Sequence, residues 1–225
     1  MSTLLLRLAA PLQAWGVDSK FEIRKTCREA SKSGVIGLLS AALGRRRDDA
    51  PDDLNALRFG LRVDQEGKLL QDFHMARKDD KTSYVTKRHY LADAVFLVGM
   101  ESDDENYLQT LEEALKNPVF PLFLGRRSCP PTQPLCLGIR RAALLDALRE
   151  EPWQAAQWRQ KRLDSRLRLL ADCADGEFSS ARQQDVPVSF DPNNRQYGFR
   201  ALVDHGFVDK KTEPEATTQD PMLEL

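Results

Sequence analysis

A short segment of the sequence carries two adjacent arginines and a hydroxyl between apolar flanks. In LGRRSCPPTQPLCLG, residues 124–138, Arg126, Arg127 and Ser128 follow Gly125. Guanidinium groups present several N–H donors in a planar fork that suits phosphate oxygens and base edges. Glycine allows close backbone approach, and the prolines that follow stiffen the loop. The composition indicates an anion-binding loop; the alternative is a surface loop whose arginines pair with acidic side chains.

A second candidate is the predicted start of a helix at residues 31–34, Ser-Lys-Ser-Gly. Free backbone amides at a helix N-terminus, together with Lys32, Ser33 and an uncovered backbone at Gly34, are able to bind an anion of phosphate size. The spacing is not that of a P-loop. The alternative is an ordinary helix that is capped by a serine.

Two further segments combine residue types that suit nucleic acids. Trp15, in the loop PLQAWG at 11–16, is able to stack on a base, although a loop tryptophan also plugs the edge of a core. The polar segment 76–88 interleaves cations with Tyr84, which favours nucleic-acid binding but also fits a solvated hairpin. The four segments share one class of ligand, a polyanion that carries bases.

Patterns for catalysis and metal binding are weak. The three histidines lie in no recognisable motif, and the four cysteines lack zinc-site spacing. Cys129 follows two arginines that would lower its thiol pKa, but the sequence identifies no base beside it. If the chain cleaves RNA, His89, Lys87 and Tyr84 are the nominated acid–base groups. We therefore expect a binding protein without metal or cofactor, with a metal-independent endoribonuclease as the alternative.

The bulk composition limits the class of protein. The chain has 225 residues, of which 41% are hydrophobic and 30% charged, and this content is typical of a folded domain and not of a disordered chain. Arg7 interrupts the apolar N-terminus, and the longest apolar stretch, 35–43, is too short to cross a bilayer. These features predict a cytoplasmic protein with reduced thiols and no membrane contact.

Hydrophobic periodicity predicts the elements that position these residues. We expect strands at 3–9, 59–64, 69–75, 90–100 and 135–142 and helices at 31–44, 52–57 and 106–116, with 59–64 and 69–75 forming a hairpin. The order β-α-β-β-α-β is ferredoxin-like, so the predicted fold class is α+β. After residue 143 the sequence is helix-prone to 161 and then strand-like at 166–173, 186–190 and 197–203.

Three stretches also carry a resemblance to a known family. LLLRLAAPLQAWG at 4–16, KSGVIGLLSAALGRRRDD at 32–49 and LGRRSCPPTQPLCLG at 124–138 closely resemble the E subtype of the fifth Cas protein family, the CasD subunits of type I-E CRISPR Cascade. The resemblance covers most of residues 1–142. It implies a ferredoxin-like palm of the RRM-like RAMP superfamily, with a β-hairpin thumb near 76–88. A small C-terminal β-rich portion over 143–208 and a disordered tail over 209–225 complete the expected organisation.

The resemblance also implies a function. Members bind the 5′ handle of the CRISPR RNA, cap one end of the complex and contact the backbone RAMP subunit and the large subunit, so that target DNA is met only through the complex. The E subtype is non-catalytic, whereas a C-subtype relative is itself the processing nuclease. The expected RNA-binding residues are Gln13, Trp15, Gly16, Arg24, Lys32, Ser33, Gly34, Arg45, Arg77, Lys87, Arg88, His89, Gly125, Arg126, Arg127, Ser128 and Cys129.

Overall fold

The computed structural model describes residues 1–16, 23–77, 79, 82–174 and 176–210. The helices are α1 (Lys32–Ala42), α2 (Asp52–Asn55), α3 (Glu105–Lys116), α4 (Leu144–Glu150) and α5 (Gln157–Gln160). The strands are β1 (Ser2–Ala9), β2 (Leu12–Gln13), β3 (Ile23–Arg24), β4 (Arg58–Gln65), β5 (Lys68–Arg77), β6 (Ser83–Ala92), β7 (Val95–Ser102), β8 (Cys136–Arg140), β9 (Arg166–Asp172), β10 (Ala181–Ser189) and β11 (Gln196–Asp209). In this part of the chain no helix is long and apolar enough to cross a membrane.

The main sheet contains the predicted ferredoxin-like arrangement. Its strands lie in the order β10-β11-β9-β4-β7-β1-β8, and the stretch β4-β7-β1-β8 is antiparallel throughout. Because α1 connects β1 to β4 and α3 connects β7 to β8, the chain order of these elements is β-α-β-β-α-β. The predicted α+β fold class is confirmed. The C-terminal strands extend the same sheet from the β4 edge instead of forming a sheet of their own.

Alternation along the strands places apolar side chains on both faces of this sheet. Leu4, Leu6 and Leu8 of β1 join the larger core cluster, which also contains Leu38 of α1 and Leu111 of α3. Leu5 points to the other face and clusters with apolar residues of α4. The predicted helix-prone segment 143–161 is divided into α4 and α5. Arg62 donates to the carbonyls of Leu148, Glu151 and Pro152 where α4 ends.

A second group of strands forms a projecting hairpin, which we call the thumb hairpin (β5 and β6). Residues 68–77 pair with 83–92, so the hairpin is longer than the predicted excursion at 76–88. The predicted hairpin between 59–64 and 69–75 is wrong, because β4 is a buried strand between β7 and β9 whereas β5 is mostly exposed. The single strand predicted at 90–100 is also wrong: it breaks at Asp93, whose φ is +57°.

The C-terminal end of the described chain differs slightly from the expected tail boundary. Asp209 is the last residue of β11 and pairs with Arg166 of β9. Residues 211–225, most of the segment predicted as a disordered tail, lie outside the described residues.

Candidate nucleic-acid interface

The loop after β1 is held by side chains that the sequence predicted to contact RNA. Trp15 is only 1% exposed, and its indole Nε1 donates to Gln13 Oε1 at 3.0 Å. Gln13 Nε2 donates in turn to the carbonyls of Leu8 at 3.1 Å and Ala94 at 2.7 Å. Both side chains are therefore largely buried and held by the protein itself, and their predicted contact with RNA stays a prediction. Gly16, at the end of this loop, is exposed.

The start of α1 is not a free anion site. Ser31 Oγ accepts from the amide of Gly34, and Asp185 Oδ2 accepts from the amide of Lys32 at 2.8 Å. The Lys32 ammonium is buried and donates to backbone carbonyls and to Asp172. Ser33 is 5% exposed. The capped-helix interpretation is confirmed. The predicted contacts of Lys32 and Ser33 with RNA stay predictions that the structure does not favour, because Lys32 already has protein partners and Ser33 is largely covered.

The Gly-Arg-Arg loop packs directly on the loop that contains Trp15. Ala14 N donates to Leu124 O at 3.1 Å, and Leu124 N donates to Cys129 O at 2.8 Å. Gly125 has a φ of +83°, and a Cβ added there would lie 1.7 Å from Ala14 O. This close approach requires glycine and leaves Arg127 and Ser128 exposed at the tip of the turn.

The two arginines of this loop have different environments. The Arg126 guanidinium lies 4.5 Å from the centre of the Tyr90 ring, and its Nη2 donates to Arg24 O at 3.0 Å. Burial raises the pKa of the Tyr90 hydroxyl, but hydrogen bonding with Arg126 and Ser128 outweighs this effect, so that the pKa lies below its usual value. Arg126 therefore ties the loop to the base of the thumb hairpin. Arg127 is exposed and free to contact a ligand.

Cys129 is a core residue and not a reactive thiol. Its side chain is 1% exposed, and burial raises the pKa of the thiol although Ser128 and Arg126 oppose the shift. The expectation that the adjacent arginines lower this pKa is wrong, because desolvation of the thiolate outweighs their charge. The same burial gives no support to the predicted contact between Cys129 and RNA.

We expect the Cys129 thiol to be protected in the folded protein. Alkylation by iodoacetamide at mildly alkaline pH should be more than about tenfold slower at Cys129 than in the urea-unfolded chain, because both access and the thiolate fraction are reduced. Peptide mass spectrometry after timed quenching measures the rate. Equal rates in the folded and unfolded chain would contradict the burial of this residue.

A cavity of about 560 Å³ lies beside α1, and we call it the arginine cavity. Small residues of α1 form its floor, and aromatic and cationic side chains form its walls. The small residues include Gly34, Gly37, Ser40 and Ala41; the aromatic residues are Trp15, Phe120, Phe123, Phe190 and Tyr197; the cations are Arg45, Arg46, Arg47, Arg127 and Arg195. The described residues that line it include no acidic side chain.

Four of the five arginine side chains have no partner among the residues that the structure describes. Arg45 is the exception, because its guanidinium donates to both carboxylate oxygens of Asp53, at 2.6 and 2.5 Å. This hydrogen-bonded pair lowers the pKa of Asp53 well below its usual range. Arg45 is thus engaged by the protein itself. Within the described residues no side-chain hydrogen bond or ion pair involves Arg46, Arg47, Arg127 or Arg195, and all four are exposed.

The sequence comparison decides the family. The family model described as CRISPR-associated protein (Cas_Cas5) matches residues 3–203. The chain belongs to the Cas5 family. It is 38% identical over 164 residues to the CRISPR system Cascade subunit CasD of Escherichia coli (strain K12), covering 63% of this chain and 73% of that protein. The resemblance carried by the three sequence stretches is confirmed.

Solved structures agree with this assignment to the Cas5 family. A chain of a CRISPR RNA-guided surveillance complex superposes with a TM-score of 0.77 at 34% identity, over 92% of this chain and 91% of that chain. A crystal structure of a Cas protein gives a TM-score of 0.71 at 37% identity, over 94% of this chain and 97% of that chain.

The remaining predicted residues of this Cas5 protein lie on or beside the thumb hairpin. Arg24 of β3 runs alongside Arg88 of β6, and both belong to the smaller sheet. Lys87 Nζ lies 6.0 Å from the Phe73 ring centre, and His89 Nδ1 is a buried atom that finds no hydrogen-bond partner among the described residues. Arg77 Nε donates to Asp79 O. None of these residues lines the arginine cavity, so the structure does not bring all the predicted residues together.

Sequence reasoning missed several residues that line the arginine cavity. Arg46 and Arg47 belong to the cationic run 45–47, which the sequence shows directly. A cationic run that follows a helix does not by itself indicate a binding site. Phe120 and Phe123 follow α3 in the stretch FPLF. Arg195 and Tyr197 lie more than a hundred residues away in sequence from α1, so only the fold brings them to it.

Proposed function

We propose that this chain is a non-catalytic RNA-binding subunit of a type I-E CRISPR Cascade complex that binds the 5′ handle of the CRISPR RNA. The observation that carries the proposal is the arginine cavity of this Cas5 family member, where four guanidinium groups have no partner within the described part of the chain. The partners we propose are CRISPR RNA, the backbone RAMP subunit and the large subunit, with target DNA met through the complex. Its proposed location is the cytoplasm.

The chemistry of the arginine cavity fits single-stranded RNA. Exposed guanidinium groups bind phosphate oxygens in forked geometry, and aromatic side chains stack on unpaired bases. Phe120 is 44% exposed at the mouth of the cavity, and Phe123, Phe190 and Tyr197 are half-buried in its walls. A volume of about 560 Å³ is within the range of small-ligand pockets and is large enough for nucleotide-sized groups.

The thumb hairpin supports the proposed position at one end of a backbone. Strand alternation puts Phe73, Met75 and Val85 on one face, and they are 65%, 64% and 49% exposed. Such an apolar stripe on a projecting ribbon is unusual for a free surface and is suited to contact with protein. We therefore assign the thumb hairpin to contacts with the neighbouring backbone subunit.

The geometry gives no support to the endoribonuclease alternative. Of its nominated groups, Tyr84 lies on the opposite face of β6 from Lys87 and His89, because side chains alternate along a strand. A general acid and base must reach one scissile phosphate together, and of the three nominated groups only Lys87 and His89 share a face. Incubating CRISPR repeat RNA with the purified chain in a chelator tests the point. Intact RNA is expected, and specific cleavage within the repeat would establish the nuclease.

The proposal is tested by purification from cells. The tagged chain is isolated from cells that carry a CRISPR array and the neighbouring genes, and the RNA that co-purifies is sequenced. We expect RNAs that share one repeat-derived 5′ end, together with other Cascade subunits. Absence of RNA, or RNA with scattered 5′ ends, would overturn the proposed function.

A further inference from the structure

Four charged residues near the start of α1 form a closed ring of hydrogen bonds, which we call the buried ion ring (Lys32, Asp172, Asp185 and Arg200). The Lys32 ammonium donates to Asp172 Oδ2 at 2.9 Å, and Arg200 Nη1 donates to Asp172 Oδ1 at 2.7 Å. Arg200 Nε and Nη2 donate to the two oxygens of Asp185 at 2.6 and 3.0 Å. The amide of Lys32 closes the circuit by donating to Asp185 Oδ2 at 2.8 Å.

The buried ion ring is balanced in charge and removed from water. It contains two cations and two carboxylates, whose side chains are 6% (Lys32), 13% (Asp172), 8% (Arg200) and 0% (Asp185) exposed. Every carboxylate oxygen in the ring accepts at least one hydrogen bond. Asp172 Oδ2 accepts a second one from the amide of Phe59. Removal of one partner from such a set leaves an uncompensated buried charge, so the four groups are held in one arrangement.

The buried ion ring joins the floor of the arginine cavity to one of its walls. Lys32 begins α1, whose Gly34 and Gly37 form the cavity floor, whereas Asp185 and Arg200 belong to β10 and β11. The connection between these two strands carries Phe190 and Arg195 to the wall of the cavity, and Tyr197 follows at the start of β11. The floor and this wall are close to each other at Gly37, because a Cβ added there would lie 3.7 Å from Phe190 Cζ.

We propose that the buried ion ring holds the arginine cavity in its RNA-binding shape, and that Asp185, Asp172, Arg200 and Lys32 are positioning residues for the RNA. This inference rests on the proposed function. The ring residues do not line the cavity except through the helix that Lys32 begins. Their effect on RNA binding is therefore exerted through the distance between α1 and the β10–β11 connection.

The chain contains a matched control for this idea. Asp64 is a 1% exposed aspartate that accepts from Nε and Nη2 of one arginine, Arg62, and from one backbone amide, that of Gln154. Asp185 has the same set of partners in Arg200 and Lys32 N. The Arg62–Asp64 pair contacts the α4 side of the molecule, and neither residue lines the arginine cavity.

The test compares Asp185→Asn with Asp64→Asn in the full chain. The probe is a fluorescent single-stranded RNA with the 5′ sequence of the RNA that co-purifies with the wild type, and affinity is measured below both unfolding midpoints. We expect both substitutions to lower the thermal midpoint. Asp185→Asn should weaken RNA binding by about tenfold and reduce the salt slope by about 0.7, which corresponds to the loss of one phosphate contact. Asp64→Asn should change the affinity by less than about twofold and leave the salt slope unchanged.

Each outcome has one meaning. Equal affinities for the wild type and the folded Asp185→Asn variant would overturn the positioning role while leaving the proposed function intact. Failure of the wild type itself to bind the RNA would overturn the proposed function. If Asp185→Asn is too unstable for RNA titration, the Lys32→Met variant is used instead, and amide hydrogen exchange is measured on peptides that cover residues 189–197. Faster exchange there than in Asp64→Asn is expected, and unchanged exchange would overturn the inference.

Discussion

Replacing Arg46, Arg127 and Arg195 together with alanine is expected to weaken RNA binding by about a thousandfold, or about tenfold for each lost phosphate contact. These guanidinium groups are exposed in the walls of the arginine cavity and have no protein partner among the described residues, so their removal costs the fold little. The salt dependence should also fall, by about 2 in the slope of log K against log salt concentration. Fluorescence anisotropy with the co-purified RNA sequence over a salt series measures both quantities.

The control for this triple variant removes the same charge elsewhere. Arg149, Arg166 and Arg182 are surface arginines on α4, β9 and β10, and none lines the arginine cavity. Their replacement by alanine lowers the net charge by the same amount and should change affinity by less than about threefold, through long-range attraction alone. Equal losses in the two triple variants would show that the arginine cavity has no special role.

Gly125→Ala is expected to destabilise the protein by more than about 3 kcal/mol. Two costs add at this position. A residue with a side chain is strained at a φ of +83°, by about 1–2 kcal/mol. In addition, the new Cβ would lie 1.7 Å from Ala14 O, a backbone atom that moves only if the loop containing Trp15 moves with it. Denaturant unfolding followed by tryptophan fluorescence measures the loss.

Gly206→Ala separates the two costs. Gly206 has a φ of +73°, but an added Cβ would meet nothing within 4 Å. This variant should lose only the backbone cost of about 1–2 kcal/mol. If Gly125→Ala were no more destabilising than Gly206→Ala, the close approach of the Gly-Arg-Arg loop to Ala14 would not exist in solution.

Much of the fold could be predicted because hydrophobic periodicity is a local property. The strands and helices of the ferredoxin-like arrangement each show their own pattern, and their chain order defines the topology. The predicted pairing of 69–75 with 59–64 is wrong because alternation shows that β5 is a strand but not which neighbour it pairs with. The hydrophobic pattern does not predict the break at Asp93, because residues 90–100 are mostly apolar and a single residue with left-handed backbone does not change that pattern.

The site was harder to predict because burial and pairing are not local. Lys32 looks like a phosphate ligand in sequence, but its partner Asp172 lies 140 residues away. Trp15 looks like a base-stacking residue, but its indole is bonded to Gln13 inside the core. Conversely, Arg195 carries no motif and reaches the arginine cavity only because the fold brings the connection between β10 and β11 close to α1. The Gly-Arg-Arg loop was identified because glycine, charge and proline act within one short segment.

Photochemical crosslinking tests the central claim most directly. The full chain is bound to RNA of the co-purified 5′ sequence that contains 4-thiouridine, irradiated, digested and mapped by mass spectrometry. Aromatic side chains that stack on bases are close enough to react. The account predicts adducts on the peptides that carry Phe120 and Phe123 and on those that carry Phe190 and Tyr197. Labelling that leaves all of these peptides unmodified, with adducts confined to other surfaces, would contradict it.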